Sequence, residues 1–187
     1  VRALDLSAFP EDCLVVRVGF NPDGSRVMFV VQDRIQTWAA LCSGDPATGE
    51  VTQLIREESE TWVNRPDAPR WLEDGSFLWM SERSGYRHIE HRKADGSLVA
   101  EVTSGEWQVR SIVKVDEEGG RIWFTGTKGG AINDNLYRVS MGGGEIKRLT
   151  PGEGRHRARM DPTGSCIVDV GSSVSQPLVT RLLSGDG

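Results

Sequence analysis

A two-part phrase recurs along this chain, and it limits the possible folds more than any other feature. One part is a tight turn closing an apolar run: Asn21-Pro22-Asp23-Gly24, Leu72-Glu73-Asp74-Gly75, Glu117-Glu118-Gly119-Gly120 and Asp161-Pro162-Thr163-Gly164. The other is a second turn leading into a segment that often ends in leucine or valine and then threonine. It stands at Gly49-Glu50-Val51, Gly96-Ser97-Leu98, Gly144-Glu145-Ile146 and, cut short, Gly185-Asp186-Gly187. Leu149-Thr150-Pro151-Gly152-Glu153 nearly copies Val102-Thr103-Ser104-Gly105-Glu106 one repeat earlier. A period of roughly 40–50 residues with strand-type content is that of β-propeller blades.

The segments after the first turn are rich in β-branched and aromatic residues: Arg26-Val27-Met28-Phe29-Val30-Val31, Ser76-Phe77-Leu78-Trp79-Met80, Arg121-Ile122-Trp123-Phe124 and Ser165-Cys166-Ile167-Val168. Near-continuous apolarity in a strand means cover on both faces, as stacked blades provide. No segment carries a helical period. The expected fold is therefore all-β, with four-stranded antiparallel sheets in about four blades at residues 14–57, 65–104, 108–150 and 155–183. In the third blade the strands fall at 109–115, 121–125, 135–140 and 145–150. The last blade shows only three strands. Residues 1–6 (Val1-Arg2-Ala3-Leu4-Asp5-Leu6) read as a lone outer strand with no blade of its own.

Propellers close by pairing a terminal strand with an incomplete blade, which removes exposed edges. Residues 1–6 are thus expected to complete the last blade, within one chain or in a partner. A homodimer of this kind would make an eight-bladed ring. The alternative is a boundary left by excision from a longer protein, since the chain opens without methionine and stops just after a turn.

Charge and composition narrow the partners. The net charge of −5 comes from 22 basic and 27 acidic residues with no basic block, which argues against nucleic acid. The longest apolar run, Val27–Val31, is strand length, whereas a membrane helix needs about 20 residues. No leader or lipidation motif is visible, and the compartment stays open. Three cysteines, Cys13, Cys42 and Cys166, are an odd number without metal-like spacing and read as free or buried thiols.

An ordered series of segments carries a resemblance. Thr61-Trp62-Val63-Asn64 precedes a turn, and Phe77-Leu78-Trp79-Met80-Ser81-Glu82-Arg83-Ser84-Gly85-Tyr86-Arg87-His88-Ile89 follows it. Then come Thr103-Ser104-Gly105-Glu106-Trp107-Gln108-Val109, Trp123-Phe124-Thr125-Gly126-Thr127 and Asn135-Leu136-Tyr137-Arg138-Val139. Arg148-Leu149-Thr150-Pro151-Gly152-Glu153-Gly154 and Asp169-Val170-Gly171-Ser172-Ser173-Val174-Ser175-Gln176-Pro177 close the series. In this order they resemble the β-propeller domain of dipeptidyl peptidase IV-like serine peptidases of the prolyl oligopeptidase clan. The resemblance implies the C-terminal half of an eight-bladed propeller that precedes an α/β-hydrolase domain bearing Ser, Asp and His. In that family the propeller restricts access to the active site and helps bind the amino-terminal end of a peptide. Family members are often periplasmic, extracellular or membrane-anchored, and some are cytoplasmic.

The chain's own chemistry is sparse. It holds no G-x-S-x-G elbow, the turn on which a hydrolase serine is strained into reach, so it is expected to be inactive alone. His88 and His91 lie three apart on a presumed strand, face opposite sides and cannot share a metal easily. His156 has no evident nucleophile partner. The Gly-rich stretches at 128–130 and 141–144 match no phosphate-binding pattern, so neither a cofactor nor a metal is expected. The family binds the peptide amino group with two adjacent glutamates, but those belong to an earlier segment. Glu57-Glu58 and Glu117-Glu118 accordingly read as solvated loop charges. The resemblance leaves two candidate substrate-binding residues: Trp62, and Arg65, whose guanidinium fork can hold a peptide carbonyl or carboxylate. The remaining tryptophans read as packing between blades. A second functional class stays open, a stand-alone β-propeller binding or assembly module with no hydrolase partner.

Overall fold

A computed structural model describes residues 2–186, and among them the regular structure is strand and turn alone. β1 (Leu14–Phe20), β2 (Val27–Gln32), β3 (Trp38–Gly44) and β4 (Val51–Glu58) form one antiparallel sheet in chain order. β5 (Arg70–Trp71), β6 (Phe77–Ser81), β7 (His88–Arg92) and β8 (Leu98–Glu101) form the second. β9 (Val109–Asp116), β10 (Arg121–Gly126), β11 (Asn135–Ser140) and β12 (Lys147–Arg148) form the third. β13 (Arg155–Met160), β14 (Cys166–Ser172) and β15 (Val179–Ser184) make a fourth sheet of three strands. The all-β, four-bladed expectation holds. Contacts divide the chain into two compact units: residues up to Gly85 with Glu90–Val99, and Tyr86–Ile89 with residues from Ala100 onward.

The repeated turns work through glycine and aspartate. Gly75 and Gly164 sit at φ 81° and 77°, a conformation that costs an L side chain about 1 kcal/mol or more. In the same turns a carboxylate takes up backbone donors. Asp74 accepts from Ser76 N–H at 2.9 Å, and Asp161 accepts from Cys166 N–H at 2.7 Å. The Thr163 hydroxyl, followed by the Cys166 N–H, holds the Asp161 carboxyl down at about 2.

Alternation along β2 and β3 explains their unbroken apolarity. Met28, Val30, Ala39 and Leu41 face one cluster with Ile55, Val63, Phe77 and Trp79. Phe29, Val31, Trp38, Ala40 and Cys42 face another, against Leu4, Leu6 and Phe9. Each face of the sheet thus has its own core. In the second unit, Trp123, Leu136, Leu149 and Ile167 form a comparable cluster with Ala158, Met160 and Leu183 around it. Burial pushes the Cys42 thiol up to about 12, a value that Cys13 also raises, so Cys42 behaves as a small apolar side chain.

The threonines that close the repeated phrase have a definite task. Thr103 Oγ1 accepts the Ile89 N–H at 2.9 Å and lies 3.1 Å from His88 Nδ1. His88 Nε2 is 2.8 Å from the Gly105 carbonyl, so Nε2 carries the proton and Nδ1 accepts from the threonine. Thr150 repeats the arrangement: it accepts the Leu136 N–H at 3.1 Å and donates to Asn135 Oδ1 at 3.1 Å. Each threonine is a latch that replaces one ladder bond and ends the outer strand.

The last sheet gains no fourth strand from this chain's own Arg2–Leu6. Val1 lies outside the described residues, as does Gly187 of the shortened last turn. Arg2–Leu6 join no sheet. They run instead along the first sheet, with Leu4 in the Phe29 cluster and Asp5 N–H donating to Gly49 O at 2.8 Å. The cause is visible at the turn glycines. A Cβ on Gly49 would stand 2.7 Å from Ala3 O, much as one on Gly96 would stand 2.3 Å from Leu54 O of β4. Arg2–Leu6 therefore occupy, beside the first sheet, the place β4 takes beside the Gly96 turn.

Candidate functional site

The end of β4 builds the site. Opposite β3 its register skips one residue, because Cys42 faces Gln53 while Leu41 faces Ile55, leaving Leu54 as the extra one. A bulge of this kind turns the rest of the strand over. Ile55 and Glu57 therefore point into the core beside Ala39 and Leu41, whereas Arg56 and Glu58 are exposed. Glu58 pairs with Arg56 at 2.5 Å, and the Arg56 guanidinium lies 4.3 Å over the Trp38 ring.

Glu57 corrects the reading of Glu57-Glu58 as two solvated loop charges. It is a strand residue only 5% exposed. Oε1 accepts from the buried Trp79 Nε1 at 2.7 Å, and Oε2 accepts from the Glu82 N–H at 3.1 Å. Arg83 stands 3.9 Å from Glu57 and 3.6 Å from the buried Glu90, which the buried Arg92 grips at 2.7 Å. A buried carboxylate is tolerated when its oxygens are met this completely. Glu117 and Glu118 lie in the turn between β9 and β10.

The segment after β4 is pinned at several points. Ser59 N–H donates to Thr37 O at 2.9 Å, and Val63 N–H to Gln36 O at 2.7 Å. Asn64 Nδ2 donates to Glu82 Oε2 at 2.7 Å. Arg17 of β1 donates from Nε to Pro66 O at 2.6 Å and pairs with Asp67 at 3.3 Å. Between these anchors Trp62 stays 54% exposed, while Trp38, Trp79, Trp107 and Trp123 are buried. A cavity of about 360 Å³ opens here, walled by Glu57, Glu58, Trp62, Glu82 and Arg83 among others. It offers an indole face for stacking next to carboxylates and a guanidinium. Of the two candidate binding residues, Trp62 lines this cavity. Arg65 is exposed on the loop that follows and does not. A second cavity of about 260 Å³ is mainly apolar, between Val18 and Phe20 of β1 and Pro69 with Trp71.

The histidines serve the fold. His88 packs edge-on to Trp107 at 4.9 Å, and burial lowers its pKa below the ordinary histidine value against the Gly105 bond and the Glu101 charge. His91 Nε2 meets Ser76 Oγ at 2.8 Å. His156 is buried with Nδ1 3.0 Å from Asp169. Among the described residues no three His, Cys, Asp or Glu side chains gather to hold a metal ion, and no helix is long and apolar enough to cross a membrane.

A family model described as the dipeptidyl peptidase IV (DPP IV) N-terminal region matches residues 2–178. The chain belongs to this family. Among curated relatives, dipeptidyl peptidase 4 of Arthroderma otae is 28% identical over 157 residues, covering 80% of this chain and 20% of its own. Dipeptidyl peptidase 4 of Trichophyton equinum is 30% identical over 145 residues, covering 73% of this chain and 19% of its own. Dipeptidyl peptidase 8 of Mus musculus is 27% identical over 190 residues, with 73% and 21% covered. The crystal structure of Porphyromonas gingivalis dipeptidyl peptidase 4 superposes with a TM-score of 0.81 at 19% identity, covering 97% of this chain and 26% of that one. That likeness shows the fold. The chain spans about a fifth of the length of the curated relatives it matches.

The sequence reading named Trp62 and missed two groups that build its surroundings, Glu57 on the cavity wall and Gln36, whose carbonyl accepts the Val63 N–H. For Glu57 a signal existed. The adjacent apolar pair Leu54-Ile55 breaks the alternation of an outer strand, which is how a bulge is written in sequence.

Proposed function

We propose that this chain is the non-catalytic propeller part of a dipeptidyl peptidase IV-like serine exopeptidase. In that role it restricts access to an active site carried by an α/β-hydrolase domain of the parent protein. It also helps bind the amino-terminal end of a peptide substrate. The observation that carries the reading is the family match from residue 2 to residue 178, which takes in both units. The exposed Trp62 beside a charged cavity supports the peptide-binding part. Trp62 stacks on the peptide, and the exposed Arg65, three residues further on, offers its guanidinium to a carbonyl or carboxylate.

The test is calorimetric titration of the chain with a tripeptide that carries a free amino terminus and a proline in second position, against its N-acetylated form. Binding is expected, strongest for the free amine because Glu58 and Glu82 line the cavity beside Trp62, and Trp62→Ala should weaken it about tenfold as loss of an aromatic anchor does. Equal binding of both peptides, or no change in Trp62→Ala, overturns the reading. A chromogenic Xaa-Pro substrate should show no turnover with the chain alone.

A further inference from the structure

We infer that Gln32 and Gln36 are positioning residues that fix the indole of Trp62, a role that deepens the peptide-binding reading and rests on it for the ligand's identity. Gln36, in the hairpin between β2 and β3, is the one non-glycine residue at positive φ (62°) among the described residues. That conformation is disfavoured for a glutamine and persists only where surrounding bonds hold it. Its carbonyl accepts the Val63 N–H at 2.7 Å. Gln32, 2% exposed, donates from Nε2 to the Val63 carbonyl at 3.0 Å. Both polar backbone groups of the residue following Trp62 are thus taken by one hairpin. The neighbouring residue Thr37 accepts Ser59 N–H at 2.9 Å, so the segment is held before and after the indole.

Closing a strap over the core would need only the Val63 side chain, which is 5% exposed in the Phe77–Trp79 cluster. The hairpin does more. It commits a buried amide and a strained backbone to the residue beside Trp62, the one tryptophan of the chain that is more than half exposed. A pre-set aromatic loses less freedom when a ligand stacks on it, which is how rigid anchors gain affinity.

The test uses the whole chain with Gln32→Leu and Gln36→Val, and Gln36→Asn as the conservative control, because asparagine tolerates positive φ. Trp62 fluorescence is isolated by subtracting the signal of each variant's Trp62→Phe counterpart. Acrylamide quenching of Trp62 should rise about twofold in Gln32→Leu and Gln36→Val, and the tripeptide should bind about tenfold more weakly, while Gln36→Asn keeps both near the parent values. Should Gln36→Val fail to fold, Gln32→Leu, which loses the amide but keeps most of the buried volume, carries the test. Unchanged quenching in Gln32→Leu overturns the inference, whatever its melting temperature. Raised quenching in a protein that binds no tripeptide supports the positioning role and overturns the peptide reading instead.

Discussion

The outer strand of the first sheet and those of the second and third sheets end in different ways. β8 and β12 run four and two residues, and each is followed by a threonine latch at Thr103 or Thr150. β4 runs eight residues, and the place of the latch threonine, seven residues on from Gly49 as Thr103 is from Gly96 and Thr150 from Gly143, is held by Arg56. A latch accepts the N–H that a further residue of outer strand would have bonded, so the chain leaves the sheet there. Without it, β4 continues past Arg56 and delivers Glu57 to Trp79 and Glu82. One repeat position thus separates two outer strands that stop at a threonine latch from one that runs on to the wall of a cavity.

The largest expected effect tests the unlatched blade. Glu57→Ala leaves the buried Trp79 Nε1 and the Glu82 N–H without their charged acceptor and should cost about 3 kcal/mol in chemical denaturation. A loss well under 1 kcal/mol would mean that water replaces the carboxylate and that β4's length is incidental.

Thr103→Val keeps the shape and removes the latch. It should cost about 1–2 kcal/mol, because Ile89 N–H and His88 Nδ1 both lose their partner. Thr150→Val should cost a similar amount, and a large inequality between the two would break the equivalence of the latches.

A pH series sharpens the contrast between those latches, since one uses His88 and the other Asn135. Burial lowers the His88 pKa in the folded protein, so the unfolded chain takes up this proton more readily. Stability should therefore be complete above the unfolded value of about 6.5 and decline as pH falls below it toward the folded pKa. His88→Asn converts the second latch to the form of the third and should flatten this slope. An unaltered slope would place the acid sensitivity elsewhere. At lower pH, Asp161, held at about 2 by Thr163 and Cys166, loses its contribution as pH falls from about 4 through about 2.

The smallest effect is expected at the outward side of β4. Arg56→Ala removes an exposed ion pair with Glu58 and a guanidinium over Trp38, and should cost at most about 0.5 kcal/mol. A larger loss would show that stacking on Trp38 matters to the strand's extension.

Much of the architecture was legible because blades repeat locally. The turn glycines, the aspartates that accept nearby N–H groups, and the alternating apolar strands each act over a few residues, and the Val-Thr and Leu-Thr endings mark latches formed within one blade. The candidate site was legible only in part. Trp62 could be named from a resemblance, but nothing in the sequence around Gln36 announces a positive φ, since no glycine stands there and the bond that holds it comes from Val63. Residues 1–6 read as an outer strand, yet Arg2–Leu6 join no sheet. Where such a segment packs depends on the glycines it meets, here Gly44 and Gly49.

By itself, the sequence determined the sheets: periodic turns and two-sided apolar strands leave few ways to bury the chain other than stacked four-stranded blades. Only the tertiary structure decided which side of β4 Glu57 would take. Had the register run on without Leu54 as the extra residue, the same glutamate would face the opposite side with Trp38, and Trp79 would have no acceptor. Side-chain direction in a strand has a period of two, so a single unpaired residue, settled by contacts with β3, reverses everything after it.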